Sequence, residues 1–159
     1  MGALPRNLVP VTEFKTANYL ESTMPGEFLG VGWNFPLDLV KLDDKRRSVK
    51  LAEYEESIRQ SIRIILETAR GERVMRPDFG CGIHERVFAL NDSATRGIVE
   101  DEVREALLDW EHRIEVLDVE VTAEGPEGQV LMINIEYKIR STESRFNLVY
   151  PFYLNRSLV

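Results

Sequence analysis

The sequence predicts an α+β domain of two layers, in which two main helices pack on one face of an antiparallel or mixed sheet. Two stretches have the three-to-four-residue periodicity of amphipathic helices, and three later stretches alternate apolar and polar residues as half-buried strands do. One face of such a sheet is apolar enough to receive both helices, which predicts the two layers. The length of 159 residues, of which 43% are hydrophobic, suits a soluble globular chain.

The chain divides into an N-terminal arm and one folded domain. Residues 1–27 show no sustained periodicity and contain Pro5, Pro10 and Pro25, so we expect an extended arm there. Residues 28–159 hold every periodic element and are predicted to form a single domain.

The stretch FLGVGWNFPLDLV opens this domain. Its bulky apolar residues are interleaved with Gly30, Gly32 and Pro36, a composition that favours a short strand or an irregular segment. We expect its large apolar side chains to hold it against the core: Phe28, Trp33, Phe35 and Leu37.

The first helix is predicted over Leu51–Ala69, with Gly71 ending it. Its apolar positions fall on one face: Ile58, Ile62, Ile65, Leu66 and Ala69. The following stretch, residues 71–90, contains three glycines and one proline and breaks every period. It is too long and too mixed for a simple turn, so it predicts a structured loop or a short hairpin.

The second helix is predicted over Ser93–Asp109, where the preceding letters NDS supply candidate N-caps. Its apolar stripe consists of five residues: Ile98, Val103, Ala106, Leu107 and Trp110. A helix of this length with one apolar stripe is typical of a helix that packs on a sheet.

Three strands complete the domain, and the first two are joined by EGPEG, a turn that suits an antiparallel pair. The inward positions predicted by alternation are Leu117, Val119, Val121 and Ala123, then Leu131, Ile133, Ile135, Tyr137 and Ile139, then Phe146, Leu148, Tyr150, Phe152 and Leu154. The third strand contains Pro151, which has no N–H for a ladder and so predicts an edge strand. Around Pro151 and Tyr153 this edge is either open to another chain or protected by the proline.

Composition excludes several classes of function. A formal net charge of −7 and a pI near 5.0 argue against a nucleic-acid partner. No stretch has the length of a membrane span, so direct membrane insertion is not expected. The single cysteine, Cys81, excludes an internal disulfide and suits a reducing cytoplasm; it is interpreted as a small buried residue, with a reactive thiol as the alternative.

No metal, cofactor or catalytic site is predicted. Cys81 and His84 give only two ligands, and His112 is distant in sequence, whereas zinc requires three or four ligands. Several acidic residues lie near predicted loops, but no spacing singles out a catalytic pair among them: Glu72, Asp78, Glu85 and Glu111.

Three polar residues stand between the second helix and the first long strand: Glu111, His112 and Arg113. Residues two apart share a side only in an extended segment, so Glu111 and Arg113 act together only if the helix has ended by about Trp110. The pair is then either an internal clamp that satisfies a loop group such as Arg76 or Asp78, or a socket for another subunit.

The stretch LLDWEHRIEVLDVEV resembles the Glu-Pro-Arg signature region of the small baseplate wedge proteins of contractile tails. The resemblance extends to GWNFPL, to the run that contains Arg76-Pro77-Asp78-Phe79-Gly80, and to the final strands. One departure is that His112 stands where the signature has proline, which restores a backbone N–H and adds a titratable ring.

The resemblance implies a structural, non-enzymatic subunit of a contractile injection system or phage-like tail. Such a subunit is present in several copies in a six-fold assembly, joins the wedge complex and initiates the sheath, so its expected partners are wedge subunits, sheath protein and hub or spike proteins. It is made and assembled in the cytoplasm and belongs to a contractile particle that is released outside the cell. Some family members carry a lysozyme label, so a peptidoglycan-degrading enzyme is the alternative. The residues expected to bind partners are Glu111, His112, Arg113, Arg76, Pro77, Asp78, Pro151 and Tyr153.

Overall fold

The computed structural model describes residues 29–43, 46–125 and 128–154. The predicted arm over residues 1–27 lies outside the described residues, as does Phe28. The division of the chain at residue 27 therefore stays a prediction.

The described residues form two α-helices and seven strands, as the α+β prediction requires. The elements are β1 (Val31–Trp33), β2 (Leu39–Asp43), β3 (Arg46–Val49), β4 (Leu51–Glu53), α1 (Tyr54–Glu67), α2 (Ser93–Trp110), β5 (Ile114–Glu124), β6 (Val130–Ile139) and β7 (Arg145–Tyr153). The main sheet has the order β5-β6-β7, and β1 with β4 and β2 with β3 form two small ladders. All of these named strand pairs are antiparallel, which confirms the fold class.

Helix α1 begins three residues later than predicted, because Leu51–Glu53 is strand β4. The buried Ala52 lies opposite Gly32 in the ladder with β1. Because this segment pairs with β1 as a strand, it is not part of the helix. Tyr54, with a φ of +52°, then turns the chain into α1. Four residues of the predicted apolar face are buried: Ile58, Ile62, Ile65 and Leu66. The helix ends at Glu67, earlier than predicted, so Ala69 lies outside it and is half-buried.

The segment around β1 does not use its aromatics as predicted. Trp33 is 72% exposed and Phe35 is 49% exposed, and Leu37 also faces solvent, so the expectation for these three was wrong. Polar contacts hold the segment instead: the side-chain amide of Gln60 accepts from Phe35 N at 2.9 Å and donates to Asn34 Oδ1 at 2.8 Å. A buried amide that is satisfied in this way positions the segment without aromatic burial.

Helix α2 is capped as predicted, since Asp92 Oδ1 accepts a hydrogen bond from Thr95 N at 2.7 Å. Most of the predicted stripe is buried, but Ile98 is 41% exposed and Val99 is buried in its place. The spacing of Val99 to Val103 keeps both residues on the face toward the sheet, and Ile98 falls one residue outside that face.

Strand β6 is the centre of the main sheet, and its five predicted inward residues are all buried. In β5 the register shifts between Val116 and Asp118, which places Leu117 on the surface, contrary to the prediction. A β-bulge inserts one residue and so reverses the alternation beyond it. Strand β7 is an edge of this sheet, as Pro151 predicted.

The stretch between the helices is a structured loop with a short 3₁₀ turn at Gly82–Arg86. Cys81, which is fully buried, forms a parallel bridge with Ala69 and thereby joins this loop to the end of α1. Gly80 is required here, because it has a φ of +116° and a β-carbon would collide with the carbonyl oxygen of Thr68. Within the described ranges, no helix is long and apolar enough to cross a membrane.

Candidate partner-binding site

The helix–strand corner forms where it was predicted. Helix α2 ends at Trp110, and Glu111 N still donates to Leu107 O at 3.0 Å as the last helical bond. Glu111 has a φ of −121° and a ψ of 76°, and β5 begins at Ile114. The helix therefore ends early enough for Glu111 and Arg113 to act on one side.

Glu111 and Arg113 form a bidentate pair. Arg113 Nε donates to Glu111 Oε1 at 2.6 Å, and Arg113 Nη2 donates to Glu111 Oε2 at 2.5 Å. The backbone N–H of Arg113 also donates to Glu111 Oε1, at 3.3 Å. Glu111 is only 3% exposed, whereas the side chain of Arg113 is 35% exposed. The planar guanidinium matches the carboxylate in the geometry of a strong charged hydrogen bond.

The same guanidinium reaches a distant part of the chain. Arg113 Nη1 donates to the carbonyl oxygen of Leu29 at 2.9 Å, and Leu29 is itself buried. The pair is thus an internal clamp, and the group that it satisfies is Leu29 rather than the predicted Arg76 or Asp78. Of the three signature residues, the exposed His112 and the exposed part of Arg113 remain accessible to solvent at this corner.

Burial and hydrogen bonding act in opposite directions on Glu111. Burial alone raises the pKa of its carboxyl, but hydrogen bonds from Arg113 and Ser61, together with the positive charge of Arg113, lower that pKa below its ordinary value. Glu111 is therefore ionised at neutral pH, and it is matched to a neighbouring cation.

The loop that carries Arg76, Pro77 and Asp78 lies beside this corner, and all three residues are exposed. The Arg76 guanidinium lies 5.1 Å from the centroid of the Trp110 ring, and Phe79 packs against the same ring at 5.1 Å. Arg76 Nε is 3.8 Å from Asp78 Oδ1, which is too long for a hydrogen bond. Trp110 thus joins this loop to the end of α2, next to Glu111.

Pro151 and Tyr153 lie at the other end of the main sheet. The register places Pro151 opposite Met132 and, across β6, Thr122, which is eight residues along β5 from Ile114. Eight residues of antiparallel strand span about 27 Å. The structure therefore does not bring the predicted partner-binding residues into one site, because the corner and the β7 edge are separate surfaces.

The two edges of the main sheet differ in how they are covered. On β5 the outward amides of Val119 and Val121 donate to the side chains of Asp118 and Glu100, at 2.9 and 3.0 Å. On β7 the side chains of Val149 and Tyr153 are 51% and 68% exposed. Side-chain acceptors that occupy edge amides block strand addition, so β5 is protected at these two positions, whereas Pro151 leaves β7 without one N–H.

Val74 and Met75 form an exposed apolar pair that the sequence patterns did not single out. Val74 is 93% exposed and Met75 is 89% exposed, next to Arg76 in the loop already described. A signal was present, because an apolar pair inside a polar, non-periodic stretch has no helix or strand face to bury it.

The other candidate groups are structural. Cys81 is buried, burial raises the pKa of its thiol to about 11, and its Sγ lies 3.6 Å from the carbonyl oxygen of Glu102. His84 Nε2 lies 2.7 Å from the carbonyl oxygen of Leu66. In residues 29–43, 46–125 and 128–154 there is no group of three or more side chains that could hold a metal ion.

A family model described as baseplate wedge protein gp25 matches residues 52–144, more than half of the sequence. The chain belongs to this family. Its match covers α1, the loop with Arg76, the corner and most of the main sheet, so the expected family is confirmed. Proteins of the baseplate wedge family are structural components of phage tails and contractile injection systems.

Among relatives, the baseplate wedge protein gp25 of Enterobacteria phage T4 is 34% identical over 65 residues, which is 41% of this chain and 49% of that protein. The chain thus spans about half the length of this curated relative. A crystal structure from Geobacter sulfurreducens, provisionally described as a tail lysozyme, is 58% identical with a TM-score of 0.63, over 69% of this chain and 99% of that one.

Two baseplate assemblies contain chains of the same fold. A chain in the baseplate of the anti-feeding prophage has a TM-score of 0.57 at 22% identity, over 82% of this chain and 90% of that one. A chain in the baseplate complex of the type VI secretion system has a TM-score of 0.52 at 18% identity, over 62% and 92% of the two chains. At these identities the likeness shows the fold alone.

Proposed function

We propose that this protein is a non-enzymatic subunit of the baseplate of a contractile particle, in which it joins the wedge complex and initiates the sheath. The observation that carries the proposal is the family match over residues 52–144, which contains the Glu111–Arg113 corner. We further propose that it is made and assembled in the cytoplasm, in several copies with six-fold symmetry, next to wedge, sheath and hub or spike proteins.

We assign different tasks to the predicted residues. Glu111 and Arg113 support the partner surface from inside by fixing the corner, while the exposed His112 and the edge of Arg113 are available for contact. Arg76, Pro77 and Asp78 extend this surface through Trp110. The β7 edge near Pro151 and Tyr153 is a second surface, which suits strand addition by the sheath.

The alternative is a peptidoglycan hydrolase, which the description of the Geobacter sulfurreducens chain suggests. A retaining or inverting glycosidase needs a carboxylic acid whose pKa is raised, so that it is protonated near neutral pH. Glu111 is the buried carboxylate of the corner, and its pKa is lowered instead. This direction argues against Glu111 as the general acid of such an enzyme.

The test co-expresses the full chain with the baseplate and sheath genes of its own contractile system. His112→Glu changes the corner, and Tyr153→Asp changes the β7 edge. We expect the corner variant to be lost from isolated wedges and the edge variant to enter wedges that fail to start a sheath, as observed by electron microscopy. Arg63→Glu, at an exposed position on α1, is the matched control and should assemble normally.

Two results would contradict the proposal. One is normal particle assembly with both His112→Glu and Tyr153→Asp. The other is lysis of cell walls by the purified protein in a turbidity assay, if that lysis is abolished by replacing a single carboxylate.

A further inference from the structure

Residues 71–78, which we call the tip loop, present two adjacent apolar side chains almost entirely to solvent. Val74 is 93% exposed and Met75 is 89% exposed. Single exposed apolar residues are common on protein surfaces, but a neighbouring pair at the outermost point of a loop has no contact that offsets its hydration. Such a pair is suited to insertion into another surface.

Hydrogen bonds hold the tip loop in one shape. Gly71 N donates to Pro77 O at 2.8 Å and closes the loop at its base. Arg76 N donates to Arg73 O at 3.2 Å, on either side of the apolar pair. A loop that is already ordered loses little conformational entropy on binding, so the free energy of burying its tip is retained as affinity.

Two arginines flank the tip and are themselves held by aromatic rings. The Arg73 guanidinium lies 3.9 Å from the centroid of the Phe79 ring, and the Arg76 guanidinium lies 5.1 Å from that of Trp110. Stacking occupies the face of a guanidinium and leaves the N–H groups in its plane free to point outward. The apolar tip therefore stands between two oriented guanidiniums that match carboxylates, of which Arg76 also lies 3.8 Å from the exposed Asp78 carboxylate, too far for a hydrogen bond.

We infer that the tip loop docks into a socket on a neighbouring baseplate subunit, an apolar pocket for Val74 and Met75 with a rim of carboxylates that pair with Arg73 and Arg76. The inference rests on the proposed function and names the chemistry of one partner surface. Trp110 joins the tip loop to the corner. We therefore expect the socket to lie next to the partner surface that contacts His112.

A second copy of this chain is the less suitable partner. One candidate socket among its described residues is a trough of about 460 Å³ along α2, in which acidic residues surround Ile98 and Leu108. Four carboxylates line this trough, and two of them are already paired within the chain, Glu105 with Arg70 at 2.8 Å and Glu102 with Arg86 at 3.2 Å; the other two belong to Asp101 and Asp109. Half of the acidic lining is thus occupied before docking, which favours a different subunit with unpaired carboxylates.

The first experiment replaces Val74 or Met75, one at a time, with a photo-crosslinking amino acid in the full chain, co-expressed with the baseplate genes of its own system. We expect crosslinks to one different subunit, at apolar residues that have Asp or Glu within a few positions. Thr122, exposed on β5, is the control position and should give none of these crosslinks. Crosslinks to α2 of a second copy, to a basic surface, or equally from Thr122 would overturn the inference.

The second experiment measures the affinity of purified variants for the crosslinked subunit. Val74→Ser with Met75→Ser should weaken binding at least about a hundredfold, since each of the two buried side chains contributes about tenfold or more. Arg73→Gln with Arg76→Gln should also weaken it and reduce its salt dependence, whereas Arg63→Gln should not. Unchanged affinity in the serine variant, or unchanged salt dependence in the glutamine variant, would overturn the inference.

The socket and the baseplate role can be refuted separately. If His112→Glu abolishes wedge assembly but the serine variant assembles and binds normally, the socket is wrong and the baseplate role stands. If both assemble normally, together with Tyr153→Asp, the baseplate role fails as well. Both tip residues are about 90% exposed, so the serine variant should unfold at the same temperature as the unmodified protein.

Discussion

Arg113 joins the start of the described fold to the corner after α2, because it pairs with Glu111 through Nε and Nη2 while its Nη1 donates to the carbonyl oxygen of Leu29. Leu29 precedes β1, and Glu111 follows α2. One guanidinium thus fixes the corner and the entry of the chain into the domain together. The signature pair acts first within the chain, and any contact with a neighbour depends on the shape that it maintains.

Removing one partner of this pair should destabilise the protein. Arg113→Met leaves the buried Glu111 carboxylate without its cation, which costs about 2–4 kcal/mol of the free energy of unfolding. Urea denaturation measures the loss, and adding Glu111→Gln to the same chain should recover part of it. Arg63→Met, at an exposed position on α1, should stay within about 0.5 kcal/mol of the unmodified protein. A loss under about 1 kcal/mol for Arg113→Met would show that the clamp is not structural.

Stability should fall in acid partly through Glu111. Its pKa in the folded protein is below the ordinary value of 4.5, so its contribution is fully present above about pH 4.5. That contribution is lost as the pH falls through the folded-state pKa, because the folded protein must then bind a proton that breaks the pair. The difference in unfolding free energy between the unmodified protein and Glu111→Gln should therefore shrink below about pH 4.5. A difference that stays constant down to about pH 3 would contradict this account.

Two glycine-to-alanine substitutions should act in opposite directions. Gly80 has a φ of +116°, and an added methyl group would collide with the carbonyl oxygen of Thr68, so Gly80→Ala should cost about 2 kcal/mol or more. Gly97 lies inside α2 with nothing within 4 Å of an added β-carbon. Gly97→Ala should stabilise the protein by about 0.5–1 kcal/mol. Thermal unfolding of both variants is the measurement, and equal shifts in the same direction would refute the prediction.

The thiol of Cys81 should be unreactive while the protein is folded. Burial raises the pKa of this thiol from 9.0 to about 11, and two pH units correspond to about one hundredfold less thiolate near pH 8. A coloured disulfide reagent should therefore react at least about a hundredfold more slowly with the native protein than with the protein in urea. Rapid reaction without urea would mean that the loop around Cys81 opens readily.

Much of the fold was predictable because apolar periodicity reports which side of an element is buried. The three isoleucines and one leucine buried on α1, the alternation of β6 and the cap at Asp92 followed from neighbouring residues alone. The bulge at Leu117 and the strand at Leu51–Glu53 did not, since each depends on the register of a partner strand. The prediction that Trp33 is buried failed for a different reason, because polar contacts from Gln60 on α1 hold its segment.

By itself the sequence determined the helix that ends at Trp110, the strand that follows it, the edge marked by Pro151 and the family to which the chain belongs. Only the tertiary structure decided that Glu111 faces inward, that Leu29 is the third member of the clamp, and that the corner and the β7 edge lie at opposite ends of the sheet. The physical reason is distance along the chain. Local patterns encode burial, but the hydrogen bond between Arg113 and a carbonyl 84 residues away exists only once the domain has folded.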